Sequence, residues 1–270
     1  MKTSAKRLFL FGGKANKCVA HFVELAGGAD SHVVILSHAS GIPRQVGNEL
    51  QQELNALGVK KVTIITPRSP QLLPADADAI YMTGGDQLRL VRLLHRGGLY
   101  SQVKAAYDRG VLIAGGTSAG AAAAAQRMVA GGMVDSVLRP GSLRLAEGLG
   151  LLLGVVIDTH FAERNRFNRM RAAVATLTDT VAVGLDEDSA VLIVNGRCTV
   201  YGKGKAHFFR RKASDEGTIV GDDRWMRVAS DVVIRSFGAG SNFRLARRNR
   251  RGTQVSRNNS RGNAARRRLQ

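Results

Sequence analysis

Cysteine, proline and aromatic residues are all scarce in this sequence. Two cysteines, Cys18 and Cys198, are spread over 270 residues, with five prolines and only 5% Phe, Trp and Tyr. Two cysteines cannot form the disulfide framework of a small secreted scaffold, and they read as buried thiols of a reducing compartment. So few aromatics argue against a stacking platform for single-stranded nucleic acid. No apolar run is long enough to cross a bilayer. The best, Val111 to Ala125, contains Thr117 and Ser118 and stops at Gln126 and Arg127. The start, MKTSAKRLFLFGG, has an apolar run of about four residues, against roughly seven or more for a secretory core. It reads as a first strand ending in a glycine turn. A cytoplasmic protein without membrane attachment is the expectation.

Acid is the other shortage, at 21 Asp and Glu against 40 Lys and Arg, a net charge of +19. The excess is concentrated at one end. Ten arginines lie between Arg244 and Arg268, and no acid follows Asp231. Setting those ten aside leaves 30 of the 40 basic residues against 21 acids, a net of +9. Residues 244–270 have almost nothing to bury and are expected to form a disordered basic tail behind one domain spanning 1–243. Such a tail either binds polyanions non-specifically or only aids solubility, and charge runs alone do not separate the two. A non-catalytic nucleic-acid-binding protein is therefore one reading of the chain.

What the sequence does have is alternation. Apolar strands at Arg7–Phe11, His32–Ser37, Val62–Thr66, Ala79–Thr83 and Val111–Ala114 are separated by helical patterns at Gln45–Leu57, Leu88–Leu94 and Leu99–Arg109. A further helix is predicted over Ala119–Val129. Continuous apolar strands between amphipathic helices imply βαβ units and a mostly parallel central sheet. The second half is richer in strands, at Val155–Ile157, Val181–Gly184, Ala190–Val194 and Thr199–Gly202, with one helix near Arg164–Leu177.

The most informative segment is the turn Gly116-Thr-Ser118-Ala-Gly120, between the strand at 111–114 and a helix. A Gly-x-Ser-x-Gly turn there projects the serine hydroxyl above the sheet edge, and the helix behind it points the Ala119 N–H at a developing oxyanion. Glycine turns also bind phosphate, but the Gly-Lys-Ser/Thr ending of a P-loop is absent, and Gly12-Gly13-Lys14 does not match a dinucleotide turn. Ser118 needs a base, and the base needs an orienting acid. His160 follows the strand at 155–157 at its carboxyl end, where open α/β sheets place their sites. It opens a polar cluster with Asp158, Arg164, Arg166 and Arg169, and three arginines in one short stretch suit carboxylate binding. Asp158 and His160 have no second ligand pair at metal-site spacing. The run Asp186-Glu187-Asp188 is either a surface hairpin turn or the source of the orienting acid. An α/β-hydrolase order would instead use Ser118, an acid near Asp186, and His207.

Four segments together resemble the cyanophycinase family of serine peptidases, which also includes the alpha-aspartyl dipeptidases. They are Gly84-Gly-Asp-Gln87, Gly116-Thr-Ser-Ala-Gly-Ala121, Asp158-Thr-His-Phe with Arg164, Arg166 and Arg169, and Asp186-Glu-Asp-Ser-Ala190. The resemblance runs from about Arg7 to Leu245. It implies a single three-layer α/β domain, class I glutamine amidotransferase-like, without a cofactor and forming a homodimer. It implies Ser118 as nucleophile, His160 as general base and Glu187 as orienting acid. An oxyanion hole from Ala119 and the loop at Gly85 and Asp86 is implied too. Gln87, Arg164 and Arg169 match substrate-contacting positions, and Asp158 is a candidate partner for a substrate guanidinium. The implied substrate is cyanophycin, a poly-aspartate carrying arginine on each side-chain carboxyl, or another β-aspartyl peptide. The chain departs from the pattern at Lys14, where an acid is usual, and in the alanine run 121–125. Those departures leave open an isoaspartyl or aspartyl dipeptidase of the same fold.

Overall fold

The computed structural model describes residues 5–14, 16–132, 137–138, 142–177, 180–211, 226–227 and 232–245. The first half follows the alternation: β1 (Arg7–Phe11), α1 (Asn16–Ala26), β2 (His32–Leu36), α2 (Pro43–Ala56), β3 (Lys61–Ile65), β4 (Ala79–Met82), α3 (Gln87–Arg96), α4 (Leu99–Asp108), β5 (Leu112–Gly115) and α5 (Ala119–Ala124). The second half runs β6 (Ala125–Gly131), β7 (Val137–Leu138), β8 (Arg144–Glu147), β9 (Leu152–Thr159), α6 (Phe167–Thr176), β10 (Val181–Leu185) and β11 (Ser189–Val194). It ends with β12 (Arg197–Gly202), β13 (Ala206–Arg211), β14 (Met226–Arg227), β15 (Val232–Phe237) and β16 (Asn242–Arg244).

These strands form two principal sheets, where the sequence pattern predicts one central sheet. The larger is ordered β16-β12-β11-β1-β5-β4-β2-β3. Its β1-β5-β4-β2-β3 half is parallel, and β11, β12 and β16 extend it antiparallel from β1. The second sheet is ordered β15-β13-β10-β9-β6-β8. Period and apolarity identify a buried strand but not its neighbour, so the sheet to which each late strand belongs is not visible locally.

Alternation along β1 shows how the layers are glued. Leu8 and Leu10 point to one face, among residues of α3, α4, α5 and the second sheet. Phe9 and Phe11 point to the other, among Phe22 of α1, Leu54 of α2 and Tyr81 of β4. The far face of the second sheet is closed by α6, where Met170 packs with Phe161 and Phe209.

Helix α5 is shorter than predicted, ending at Ala124 rather than near Val129. Alanine favours helix, but Ala125 is extended and the chain from there pairs with β9. The alanine run has a spatial cause. α5 lies in contact with β5 of the first sheet, β9 of the second and α3, and every residue from Ala119 to Ala125 is buried. Only small side chains fit a helix enclosed on so many sides. At the other end, Arg244 belongs to a paired strand, while residues 246–270 of the expected tail lie outside the described residues. Among the described residues no helix is long and apolar enough to cross a membrane.

Candidate active site

Ser118 sits at the junction of β5 and α5 with φ 80° and ψ −80°. A non-glycine residue in that region costs on the order of 1–3 kcal/mol and persists only where the surroundings impose it. Here the surroundings do so through two glycines. A Cβ on Gly116 would lie 1.9 Å from Cε1 of Tyr81, and one on Gly120 would lie 2.4 Å from the carbonyl oxygen of Met82. The turn is thus pressed onto β4, and the serine hydroxyl is left at the carboxyl edge of the sheet.

Oγ of Ser118 shares a hydrogen bond of 2.8 Å with Oγ1 of Thr159. Thr159 ends β9, and His160 follows it with φ 47°. The His160 ring is located from three directions. Its backbone N–H donates to the carbonyl of Gly12 at 2.7 Å. Its ring lies over Gly13, where a Cβ would come within 2.3 Å of Cε1. Its Nδ1 is 2.7 Å from Oε1 of Glu187. With Nδ1 engaged by a carboxylate, the neutral imidazole carries its basic lone pair on Nε2. His160 and Glu187 are therefore brought together directly, whereas Ser118 is bonded to the residue preceding His160 and not to the imidazole.

The second oxygen of Glu187 is 3.2 Å from Nζ of Lys14. The hydrogen bond to His160, joined by the hydrogen bond and charge of Lys14, holds the Glu187 carboxyl below its usual range. Lys14, which stood out in the sequence as a departure, and Thr159, which carried no signal there, both belong to the site. Glu163 adds a further link by accepting the backbone N–H of Glu187 at 3.1 Å.

Other expected residues divide. The Gly84 N–H donates to Oγ1 of Thr117 at 3.1 Å, which moors the loop 84–87 beside the serine turn. Gly85 has φ 135°, and among the described residues its N–H has no hydrogen-bond acceptor. Asp86 is different. Its N–H donates to the carbonyl of Ala39 at 3.0 Å, and its carboxylate caps α3 by accepting from the Arg89 N–H at 2.9 Å. Asp86 is thus occupied as a helix cap, and an oxyanion donor from this loop is left to Gly85. The Ala119 N–H, the other expected oxyanion donor, donates to the Thr117 carbonyl at 3.2 Å within the same tight turn. Nε2 of Gln87 donates to the carbonyl of Val129 at 2.7 Å, tying the loop to β6.

The arginine cluster is largely internal. Asp158 is 4% exposed. Its Oδ1 accepts from Nη1 of Arg166 at 2.7 Å, and its Oδ2 from Nε of Arg169 at 2.7 Å. Arg166 also donates to the Thr159 carbonyl, and Arg169 to that of Gly132. Asp158 is therefore spent on the chain's own guanidinium groups, contrary to the expectation that it receives one from a substrate. The spacing of three arginines had suggested carboxylate binding, but a buried aspartate claims two of them. Arg164 is exposed on the turn after His160, and its side chain makes no hydrogen bond or ion pair among the described residues.

A second histidine–carboxylate pair lies deeper. Nε2 of His207 is 3.0 Å from Oδ2 of Asp186, and its Nδ1 is 2.7 Å from Oγ of Ser236. Both ring nitrogens are occupied, which removes His207 as the base of an α/β-hydrolase order. Burial works against ionisation of Asp186. His207 and the N–H groups of Ala162 and Lys205 outweigh it, so the carboxyl sits below its ordinary range. Its contribution to stability is present above the unfolded aspartate value of about 3.9 and is lost as pH falls through the lower folded value. His207→Ala is accordingly expected to cost about 3 kcal/mol by stranding a buried carboxylate, read by urea unfolding at pH 7. His160→Ala is expected to leave the unfolding midpoint nearly unchanged while removing acyl transfer; the reverse pattern would exchange the roles of the two histidines.

Neither cysteine competes as nucleophile. Both are free and buried, and burial pushes the Cys18 thiol to about 11 and that of Cys198 to about 12. Among the described residues no group of three His, Cys, Asp or Glu side chains converges as a metal site requires.

Comparison with known proteins bears on this geometry. The family model described as Peptidase family S51 matches residues 8–201. A cyanophycinase of Geminocystis herdmanii is 32% identical over 212 residues, 73% of this chain and 78% of that protein. Cyanophycinases of Synechococcus elongatus and Trichormus variabilis are 32% and 33% identical over 71% and 68% of this chain. The match spans 62% and 64% of those two proteins, less than two thirds of their length. Among solved structures, a peptidase from an acI-B1 actinobacterium has a TM-score of 0.61 at 19% identity, covering 89% of this chain and 97% of that one. A peptidase E-like protein from Listeria monocytogenes has a TM-score of 0.55 at 18% identity, covering 74% and 99%. At those identities the structural likeness concerns the mixed α/β fold of two sheets with helices.

Proposed function

We propose, from the premise that this chain belongs to peptidase family S51 and is of the serine type, that it cleaves aspartyl-linked peptide bonds through an acyl-enzyme on Ser118. The observation that carries this reading is the His160–Glu187 pair, at 2.7 Å, beside a serine in a strained strand-to-helix turn. The same turn after β5 of a parallel five-strand core supports reading the fold as class I glutamine amidotransferase-like.

In this mechanism Ser118 rotates its hydroxyl from Thr159 to Nε2 of His160. The imidazole takes the proton as Oγ attacks the substrate carbonyl carbon, and Glu187 stabilises the resulting imidazolium. The N–H of Gly85, joined by that of Ala119 once it leaves the Thr117 carbonyl, receives the negative oxygen of the tetrahedral intermediate. Collapse breaks the C–N bond, and His160 returns the proton to the departing amine. Water, deprotonated by the same imidazole, then hydrolyses the ester and restores Ser118. Lys14 keeps Glu187 ionised and aimed throughout. Arg164, exposed on the turn four residues after His160, is the group available to hold a free aspartyl carboxylate.

Cyanophycin is the substrate favoured by the relatives' names. Asp158 does not supply the counter-charge for its arginine, and this favours weighing short aspartyl or isoaspartyl dipeptides as a second substrate class. Incubation of the full chain with insoluble cyanophycin, followed by mass analysis, is expected to release β-aspartyl-arginine. Release from aspartyl dipeptides alone would move the assignment to a dipeptidase. Inactivity on both, from folded protein, would remove the aspartyl specificity.

A further inference from the structure

Ser118 is bonded to Thr159 rather than to its base, and burial decides which way that bond runs. Thr159 is 2% exposed, and Oγ of Ser118, at 2.8 Å, is the one partner of its hydroxyl among the described residues. A buried hydroxyl needs an acceptor for its proton. With Ser118 as donor, the Thr159 proton would have none. Thr159 is therefore the donor and Ser118 the acceptor. Ser118 is only half-buried, so its own proton can face the open side of the turn.

Thr159 is held where it cannot follow the serine. Its N–H donates to Oδ1 of Asp158 at 3.0 Å, and its carbonyl accepts from Nη1 of Arg166 at 2.6 Å. Those two groups are themselves paired at 2.7 Å. On its flank Thr159 is in register with Leu185 of β10. Its branched Cβ restricts χ1 as well. On the other side of the serine, Glu187 engages only Nδ1 of His160, and Nε2 makes no hydrogen bond among the described residues. Nucleophile and base are thus both present and not joined. Moving Oγ onto Nε2 strips a fixed, buried hydroxyl of its acceptor, which makes the move unfavourable.

We propose that Thr159 is a positioning residue that holds Ser118 off its base, so that exchanging Thr159 for His160 is part of the barrier to acylation. This role presupposes the reading of Ser118 as nucleophile and His160 as base. It also gives the buried Asp158–Arg166 pair a task, which is to fix the peptide from which the Thr159 hydroxyl projects.

Thr159→Val keeps the shape of the side chain and removes the donor. Phenylmethanesulfonyl fluoride reads the reactivity of Ser118 without an aspartyl group: an Oγ–S bond forms, fluoride leaves, and His160 takes the serine proton. Peptide mass analysis locates the adduct. The full chain carrying Thr159→Val is expected to react about fivefold faster than the parent, the rate equivalent of one neutral hydrogen bond. Single-turnover acylation by an aspartyl peptide is expected to speed up by a similar factor. Thr159→Ala should also be faster, and it supplies the reading if the valine variant does not fold. Thr159→Ser keeps the donor and should stay within about twofold of the parent. A merely structural role for Thr159 would slow the hydroxyl-free variants, not speed them. Rates at or below the parent's in both of them would overturn the proposal. Faster sulfonylation without aspartyl-peptide hydrolysis keeps the role of Thr159 and removes the aspartyl specificity. Intact hydrolysis with no acceleration removes the role and keeps the peptidase. No adduct on Ser118 in any variant removes both.

Discussion

Ser118→Gly is expected to lower kcat on an aspartyl-peptide substrate by at least about 10⁴-fold and, at the same time, to raise the stability of the protein by about 1 kcal/mol. The first effect follows from removal of the nucleophile, which in serine peptidases leaves only binding and oxyanion stabilisation. The second follows from φ 80° and ψ −80°, a conformation that glycine adopts without steric penalty. Ser118→Ala should share the loss of activity without the gain in stability, because alanine keeps the Cβ that makes the turn costly. Single-turnover kinetics and urea unfolding on the same preparations supply both readouts. If Ser118→Gly retained hydrolysis, another residue would have to be the nucleophile. If it were less stable than Ser118→Ala, the turn would not be strained by its side chain.

The second large effect concerns folding rather than chemistry. Asp158→Ala is expected to destabilise the protein by about 3–5 kcal/mol, the range for breaking a buried ion pair from one side. Arg169 is 9% exposed and would be left facing Arg166 without the carboxylate that separates them. Adding Arg169→Met should recover part of that loss, since one unpaired buried charge is removed with it. Thermal and urea unfolding of the single and double variants check this. A single variant as stable as the parent would mean that Asp158 is not the internal counter-ion, and it would reopen a role for it toward substrate.

The sequence was most readable where local pattern and burial coincide. β1, β2, β4 and β5 are buried on both faces, so their apolar runs are continuous and their bounds fall within a residue or two of expectation. The serine turn was readable for a related reason. Gly116 is forced by the Tyr81 ring and Gly120 by the Met82 carbonyl, and that requirement is visible as a spacing of glycines. Elsewhere the deciding forces are long-range. The alanine run reads as helix through residue 129, yet pairing of β6 with β9 draws the chain into a strand from Ala125. Three arginines after His160 look alike in one dimension, but the start of α6 turns Arg166 and Arg169 toward Asp158 and leaves Arg164 outside. Thr159 lies between two conspicuous residues and had no signal of its own.

The position of β1 has a bearing on how the protein comes into being. Made before the other strands described, it ends in the centre of the larger sheet, flanked by β5 on one side and by the much later β11 on the other. Its glycine turn carries Lys14, which meets Glu187 only after ten of the sixteen strands have been made. On the ribosome the serine turn therefore emerges well before His160 and Glu187, the base and acid proposed for it. On the proposed mechanism, hydrolysis waits until residues 186–194 have been made and β1 with its turn closes against them.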